Sequence, residues 1–373
     1  MAGISTALKR VVDWPVLLPA AALSLAGLVF IGSAGEAMGP AGSGFASRQA
    51  IWMLIGLGAY AATVVLGLKR LLRLAPALFA GACLALVLVL RLGSASHGAR
   101  RWFAAGPIAV QPSEFAKVAF LLFFAAAAAR LPVRRVGGFL ALAALAAAPA
   151  ALVAAEPDLG TALVFLPVAG VMLWTAGARA RHLALCVLLA ALVTPLAWSR
   201  LKPYQRGRIL AFLHPEAAPL AEGYQLLQSK EAVGSGGLFG RGLGRGTHNA
   251  LNLLPERHTD FIFSVVAEEG GFVGATLVIL GLFWLVFTAA STALSTPSLL
   301  GAALAAGVAA LLAFQTTVNA GMACAVMPIT GLPLPFLTYG GSSHLACWLA
   351  CGLLSAVRLT DAENLVESPS ERD

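Results

Sequence analysis

Residues 136–155 read VGGFLALAALAAAPAALVAA, an apolar stretch without a charged or hydrogen-bonding side chain. At 1.5 Å per residue in a helix, the stretch covers about 30 Å, which is the thickness of the hydrocarbon core of a bilayer. Backbone polar groups in lipid must be paired within their own segment, and a helix pairs them. The stretch therefore predicts a helix that crosses a membrane.

Similar apolar runs recur on both sides of this stretch and predict ten membrane-spanning helices in all. They lie at about 15–34, 50–68, 75–92, 113–130, 136–155, 159–177, 182–199, 262–288, 299–322 and 342–358. The composition agrees, since only 11% of the residues are charged, whereas soluble domains carry about 25%. The runs do not alternate polar and apolar residues, which argues against a barrel. The predicted fold class is an all-α polytopic membrane protein with about ten transmembrane helices.

Basic residues in the short loops predict the orientation of these spans. One side of the membrane carries the larger set: Lys9, Arg10, Lys69, Arg70, Arg73, Arg130, Arg134, Arg135, Arg179 and Arg181. Because cytoplasmic loops are enriched in Lys and Arg, both termini are predicted to be cytoplasmic. Much of the net charge of +8 then comes from these loops, and no aromatic-basic platform for nucleic acid accompanies it.

Residues 1–358 form a single predicted transmembrane domain, followed by a polar cytoplasmic tail at 359–373. The longest connection, at about 200–261 between spans seven and eight, is predicted to be a large periplasmic loop. Connections of this length are usually functional or disordered. Within the loop, Tyr224 to Val233 is predicted to form an amphipathic helix at the membrane interface.

Span four contains two opposite charges, Glu114 and Lys117, which lie three residues apart and therefore share one helix face. Each charge costs about 2.5–3.5 kcal/mol at the bilayer centre on insertion scales, so both must face the protein interior or a wet cavity. A structural ion pair and a cavity lining both fit this pattern. Trp102, at the outer boundary of the same span, fits an interfacial anchor.

Two further stretches have a structural and a functional interpretation. In the run from Glu156 to Thr161, the carboxylate of Asp158 either caps span six or takes part in chemistry. The run GSGGLFGRGLGRG at 234–246 is either a flexible connector or an anion cradle, in which backbone N–H groups converge on the anion and Arg241 and Arg245 add charge.

Asp260 stands where the long loop enters span eight. It is either the N-cap of that helix or a general base. Glu268 and Glu269, about two turns into the span, are expected to face inward because facing lipid would be costly. The prolines and glycines between 319 and 343 interrupt a helix, and non-helical backbone at this depth predicts a loop that lines a cavity.

Taken together, these stretches resemble the SEDS family (shape, elongation, division and sporulation proteins) over almost the whole chain. The motifs are Arg-Trp at 101–102, Gln-Pro-Ser-Glu-x-x-Lys at 111–117, Pro-Asp-Leu-Gly-Thr at 157–161, Gly-Ser-Gly-Gly at 234–237, His-Thr-Asp-Phe-Ile-Phe at 258–263 and Pro-Phe-x-x-Tyr-Gly-Gly-Ser-Ser at 335–343. The segment from Pro255 resembles the elongation members more than the division members. One departure is Glu156, where many relatives carry Gln.

The resemblance implies a peptidoglycan glycosyltransferase of the bacterial inner membrane that polymerises lipid II on the periplasmic side. It matches Asp260 to the essential loop aspartate and Trp102, Glu114 and Lys117 to the motifs around span four. Ser342 and Ser343, in the last motif, are further candidates for substrate binding. The implied partners are lipid II, the nascent glycan strand, a class B penicillin-binding protein and the rod-shape cytoskeletal complex.

A mechanism with one carboxylate fits these residues. Asp260 is predicted to remove the proton of the attacking hydroxyl, and undecaprenyl pyrophosphate leaves as a stabilised anion. The available cations are Arg208, Lys230, Arg241 and Arg245, and a divalent ion (Mg²⁺ or Mn²⁺) would share their role, although the sequence shows no closed metal cage. A single displacement predicts inversion at the anomeric carbon.

Three other functions are weighed against this one. A lipid II flippase also needs a broken loop and buried charges, but the charged residues cluster towards the outer face, which favours the enzyme. A pure scaffold leaves the buried charges without a purpose. The division-specific polymerase of the same family is the remaining alternative.

Overall fold

The computed structural model describes residues 12–96, 99–106, 108–214, 222–251 and 253–367. Lys9 and Arg10, which contribute to the predicted orientation, lie outside these ranges. The helices are α1 (Trp14–Glu36), α2 (Phe45–Leu92), α3 (Pro112–Arg130), α4 (Val136–Ala155), α5 (Leu159–Thr175), α6 (Ala180–Arg200), α7 (Pro203–Leu213), α8 (Glu222–Ser235), α9 (Thr247–Ala250), α10 (Ile262–Ser295), α11 (Leu299–Ala323) and α12 (Gly341–Glu367).

Seven helices in the described part of the chain are long and apolar enough to cross a membrane, and α5 and most of α6 are shorter apolar helices. The predicted all-α polytopic class is confirmed, whereas the count of ten spans and the orientation stay predictions. α12 continues past residue 358 to Glu367, so part of the predicted tail is helical. Residues 368–373 lie outside the described ranges.

The second and third predicted spans are one element, α2, of 48 residues. A straight helix of this length would measure about 70 Å, more than twice the hydrocarbon thickness. It breaks at Gly67, where φ is 71° and ψ is 157°. Only glycine adopts that backbone without a steric penalty. The break divides α2 into two halves that are each long enough to cross a bilayer, and the predicted loop at 69–74 is helical instead.

Small residues on α11 bring neighbouring helices close to it. α11 is buried along most of its length. A Cβ added at Gly307 would lie 2.7 Å from both Leu121 of α3 and Met172 of α5. Without a hydrophobic driving force between helices in lipid, such close van der Waals packing is a main source of association. α11 therefore forms the centre of the bundle.

A three-stranded antiparallel sheet, in the order β1-β2-β3, joins α2 to α3 and was missed by the all-α prediction. Its strands are β1 (Ser94–Ser96), β2 (Ala99–Ala105) and β3 (Ile108–Val110). They are too short for a period-two pattern to stand out between two apolar spans. The sheet carries Trp102 on β2, opposite Ser94, so the tryptophan belongs to a folded cap and not to the end of a span.

The predicted helix at Tyr224–Val233 lies within α8, which packs against the bundle, and its position at the membrane interface stays a prediction. The Ser229 hydroxyl donates to the Ala323 carbonyl at 2.7 Å and lies 2.6 Å from the Ser264 hydroxyl. Because a hydroxyl has one proton, Ser264 is the donor in the second contact. These buried bonds join α8 to α10 and α11.

The glycine run after α8 is neither a free connector nor an anion cradle. α10 breaks at Gly271 (φ 67°, ψ −166°), which removes the helical bonds from Phe272 to Glu268 and from Val273 to Glu269. Four bonds to the run replace them. Gly237 and Leu238 accept from Phe272 and Val273 at 2.8 and 3.0 Å, and the Arg241 and Gly242 N–H groups donate to the freed carbonyls of Glu268 and Glu269 at 3.0 and 3.1 Å.

Glycine is required in this run because backbone meets backbone. A Cβ at Gly240, where φ is 78°, would lie 2.0 Å from the Glu269 carbonyl oxygen. We expect Gly240→Ala to destabilise the protein by more than the roughly 1–2 kcal/mol that a left-handed residue costs. Gly234, in α8, has open space around its Cα, so Gly234→Ala is the matched control and should be neutral or stabilising. Thermal unfolding in detergent measures both, and equal melting temperatures would contradict the docking.

Candidate active site at the loop-bearing end of the bundle

A cavity of about 540 Å³ opens where the sheet, the long loop and the segment between α11 and α12 meet. This volume suits a substrate of moderate size. Its lining is mixed polar and apolar: Arg101, Trp102, Gln111, Asp158, Arg208, Gln225, Pro255, Glu256, Thr259, Asp260, Ile329, Gly331, Pro333, Thr338, Tyr339, Gly340 and Ser343. Seven of these lining residues lie within 319–343, where the sequence predicts a cavity-lining loop of non-helical backbone.

Asp260 is half-buried on the cavity wall and does not cap α10. The N-cap is Phe261, which makes no side-chain capping bond. Burial and the nearby Glu256 carboxylate, opposed by Arg208, together raise the pKa of Asp260 to about 6. Desolvation outweighs the attraction of the guanidinium, so Asp260 is ionised at pH 7 yet more basic than an ordinary aspartate.

Asp158 fulfils its predicted capping role and also faces the cavity. Its carboxylate accepts from the Thr161 N–H at 3.2 Å and from the Thr161 hydroxyl at 3.1 Å. The Arg101 guanidinium lies 3.8 Å from Asp158 and donates to the Glu156 carbonyl at 3.2 Å and to the Pro157 carbonyl. The start of α5 thus holds Arg101 at the cavity wall.

Arg208 reaches the same wall from α7. Its guanidinium carbon lies 5.9 Å from the centre of the Tyr204 ring, within range of a cation–π interaction. The Tyr204 hydroxyl donates to the Pro157 carbonyl at 2.8 Å. Pro157 therefore links both arginines, and the cavity has two guanidinium groups on the side that contains Asp158.

A sequence model of the family described as cell cycle proteins of the FtsW/RodA/SpoVE type matches residues 14–363. The chain belongs to this family. It is 38% identical to the peptidoglycan glycosyltransferase MrdB of Escherichia coli K12 over 286 residues, which are 76% of this chain and 77% of MrdB. It is also 38% identical to the probable peptidoglycan glycosyltransferase FtsW of Trichlorobacter lovleyi over 354 residues, 92% of each chain.

A solved structure described as "Structural coordination of polymerization and crosslinking by a peptidoglycan synthase complex" contains a chain with the same fold. The TM-score is 0.80 at 37% identity, and the match covers 92% of this chain and 97% of that chain. The resemblance to the SEDS family is thereby confirmed, and so is the multi-pass membrane architecture that this family shares.

The structure brings four of the predicted site residues of this SEDS protein to the cavity, namely Asp260, Trp102, Arg208 and Ser343. Ser342 is buried just behind the wall, where its hydroxyl accepts from the Gln111 N–H at 3.0 Å. Its contact is with the protein and not with the cavity.

Three predicted cations lie elsewhere, since Lys230, Arg241 and Arg245 are exposed and outside the cavity lining. Arg241 donates to the Ser235 carbonyl at 3.3 Å and to the Thr247 hydroxyl. The docking of the glycine run on α10 keeps Arg241 and Arg245 away from the cavity, and Lys230 lies on the exposed side of α8. Arg101, which the selection of site residues missed, takes their place, and the signal for it was the Arg-Trp motif at 101–102.

Glu114 and Lys117 form a buried ion pair at 2.8 Å, with side chains 3% exposed each, and they do not line the cavity. This placement favours the structural interpretation of the pair. Removal of one partner would leave an uncompensated buried charge, whereas removal of both would not.

We therefore expect Glu114→Gln or Lys117→Met alone to cost about 3–5 kcal/mol of stability and the double variant to cost less than either. A double-mutant cycle on unfolding in detergent measures the coupling. Additive losses would show that the two side chains do not stabilise each other in the folded protein.

A divalent ion finds no protein-built cage here. Among the residues that the structure describes, no group of three or more His, Cys, Asp and Glu side chains is arranged to hold a metal. The Asp158 carboxylate is already engaged by Thr161 and Arg101. The described residues therefore do not fit a metal site made by the protein alone.

Glu156, the departure from the family pattern, is fully buried in the turn before α5. Neither of its carboxylate oxygens has a hydrogen-bond partner among the described residues. Burial and, to a smaller extent, the Asp158 carboxylate raise its pKa to about 8 against the opposing effect of Arg101. At neutral pH the side chain is a neutral carboxylic acid, similar in shape to the glutamine that the family resemblance leads us to expect here.

The raised pKa makes stability depend on pH. Between about 4.5 and 8 the folded protein holds a proton on Glu156 that the unfolded chain releases, so stability falls as pH rises through this window. We expect Glu156→Gln to flatten that dependence and to stabilise the protein most at the alkaline end. Unfolding of both proteins between pH 5 and about 8.5 tests this, and parallel curves would show that Glu156 is already ionised when folded.

Proposed function

We propose that this protein is a peptidoglycan glycosyltransferase that polymerises lipid II. The observation that carries the proposal is the Asp260 carboxylate, half-buried on the wall of a cavity that also contains two arginines. Relatives with 38% identity carry the name peptidoglycan glycosyltransferase. Family membership alone would not select a reacting group, and the cavity geometry supports Asp260.

Asp260 acts as the general base. The hydroxyl of the acceptor sugar transfers its proton to the Asp260 carboxylate while its oxygen forms a bond to the anomeric carbon of the donor. The bond from that carbon to the pyrophosphate oxygen breaks, and undecaprenyl pyrophosphate leaves with the electron pair. A pKa of about 6 suits this role, because the carboxylate is ionised at pH 7 and still accepts a proton in the transition state.

Arg101 and Arg208 stabilise the negative charge that develops on the leaving pyrophosphate. Guanidinium groups bind phosphate oxygens through paired N–H donors, and donors held in place before the reaction need no reorganisation during it. Since pyrophosphate is a stable anion, no second carboxylate acid is needed. One displacement without a covalent intermediate inverts the anomeric configuration.

A flippase is the alternative, and the cavity argues against it. Its lining residues come from the sheet, α7, α8, the loop before α10 and the segment between α11 and α12, all at one end of the bundle. A flippase needs a path that reaches both leaflets. We infer from the basic residues of the short loops that this end is periplasmic and that both termini are cytoplasmic.

Elongation is the proposed context, because the segment from Pro255 to Asp260 resembles the elongation members. Relatives named MrdB and FtsW are equally similar, so a division role is the second candidate. We infer a class B penicillin-binding protein and the rod-shape cytoskeletal complex as partners. The similar chain in a complex for polymerization and crosslinking supports the first of these.

Polymerisation of purified lipid II by the purified protein, free of other glycosyltransferases, tests the proposal. We expect Asp260→Asn to lower the turnover at least about 100-fold, since general bases contribute about 10²–10⁴. Glu36→Gln, which removes an exposed carboxylate at the end of α1, is the matched control and should retain full activity. In the wild type, turnover should fall about tenfold per pH unit below about 6.

Two outcomes would contradict the proposal. Equal glycan from wild type and Asp260→Asn would remove Asp260 from the chemistry. Absence of glycan from every variant, with lipid II translocation intact in liposomes, would favour the flippase.

A further inference from the structure

Asn319, near the end of α11, is fully buried and lies outside the cavity lining. Its Nδ2 group donates to the Asp260 carbonyl at 2.9 Å and to the Leu332 carbonyl at 2.8 Å. Both hydrogens of one side-chain amide are therefore used to join two segments that are separate in sequence. We propose that Asn319 is a positioning residue that holds the backbone of Asp260 in the geometry needed for catalysis, an inference that rests on the proposed function.

The bond from Asn319 is one of a consecutive set. The carbonyl of His258 accepts from the Tyr339 N–H at 3.0 Å, and that of Thr259 accepts from the Thr338 hydroxyl at 3.1 Å. The carbonyl of Asp260 accepts from Asn319. Three successive peptide groups before α10 are thus tied to α11 and the segment that follows it. The direction of the Asp260 side chain is set by this register.

Strained backbone lies close to the tied groups in both segments. Glu256 has φ 51° and Phe336 has φ 66°, both in the left-handed region that residues with a Cβ rarely adopt. Such conformations persist where the surrounding structure over-determines them, and they cluster at functional sites. If the hydrogen bonds of Asn319 were lost, the strain at Glu256 would favour a relaxed conformation of the segment from 256 to 260. Asp260 would move with that segment.

An amide donor is the specific requirement at position 319. Asn319 Oδ1 is buried without a partner, so the side chain is held in place by its donor half alone. Both partners are carbonyl oxygens, which only accept. A carboxylate in the same place would set negative charge against two oxygens. A serine hydroxyl has one proton and replaces at most one of the two bonds.

The test uses Asn319→Ala, Asn319→Ser and Asn319→Asp in the purified full-length protein. Asn249→Ala is the matched control, because Asn249 is also buried and its Nδ2 group donates to Ser33 and Glu269, away from the 258–260 carbonyls. Steady-state polymerisation of lipid II gives kcat and KM, and thermal unfolding gives stability. Amide hydrogen exchange of the peptide covering 257–262 reports the segment itself, without need of activity.

We expect Asn319→Ala and Asn319→Asp to lower kcat at least tenfold, with KM within twofold of wild type. The kcat of Asn319→Ser should lie between that of these variants and that of wild type. Exchange in 257–262 should accelerate in Asn319→Ala and not in Asn249→Ala, even if both variants lose similar thermal stability.

Unchanged exchange in 257–262 would overturn the positioning role, and so would an unchanged kcat or an equal loss of kcat in Asn249→Ala. If wild type makes no glycan, the proposed function fails while the exchange measurement still decides whether Asn319 orders the segment.

Discussion

In a bilayer, a helix that breaks must find new partners for the N–H and C=O groups that it releases, because no water is available to them. The region around Asp260 depends on this constraint. The break of α10 at Gly271 is satisfied by the glycine run, through two bonds in each direction. In the segment between α11 and α12, the Leu332 carbonyl accepts from Asn319 and the Tyr339 N–H donates to the His258 carbonyl. Loop and bundle are therefore one structure.

The depth at which this loop is held explains why Asp260 has a raised pKa and is still ionised at pH 7. The loop before α10 lies between the helices and desolvates the Asp260 carboxylate. The cavity leaves the same carboxylate accessible to a substrate. Arg208 limits the shift. A deeper position would protonate the side chain at neutral pH, as burial does at Glu156, where desolvation and the Asp158 carboxylate together outweigh Arg101. The two carboxyl groups thus have different protonation states although Arg101 and Asp158 lie near both of them.

The charges of the site divide into those that face the cavity and those that only hold the fold. Arg101 and Arg208 belong to the first class. Glu114 and Lys117 neutralise each other inside the bundle. Glu269, fully inside the bundle as predicted, accepts from Ser33 at 2.7 Å and from Asn249 at 2.8 Å and so ties α1 and α9 to α10. These ion pairs and hydrogen bonds explain why the domain contains buried charged side chains that do not face the cavity.

Features that depend only on residues close together along the chain could be predicted from the sequence. Apolar runs set the helices, the Asp158 cap follows from a three-residue spacing, and the inward position of Glu268 and Glu269 follows from the cost of charge in lipid. Motif combinations were enough for the family. The roles of Asp260 and the other site residues stay predictions that the proposed experiments address.

The identity of the cations that share a cavity with Asp260 depends on the tertiary fold and could not be predicted from the sequence. Arg241 and Arg245 lie closer to it in sequence than Arg101 does, yet they are outside, because the glycine run docks on α10 and turns them to the surface. Arg101 arrives from a sheet whose strands are too short to show a pattern. Asn319 gave no sequence signal of its own. Hydrogen bonds between distant segments, which carry no periodicity in the sequence, place these groups.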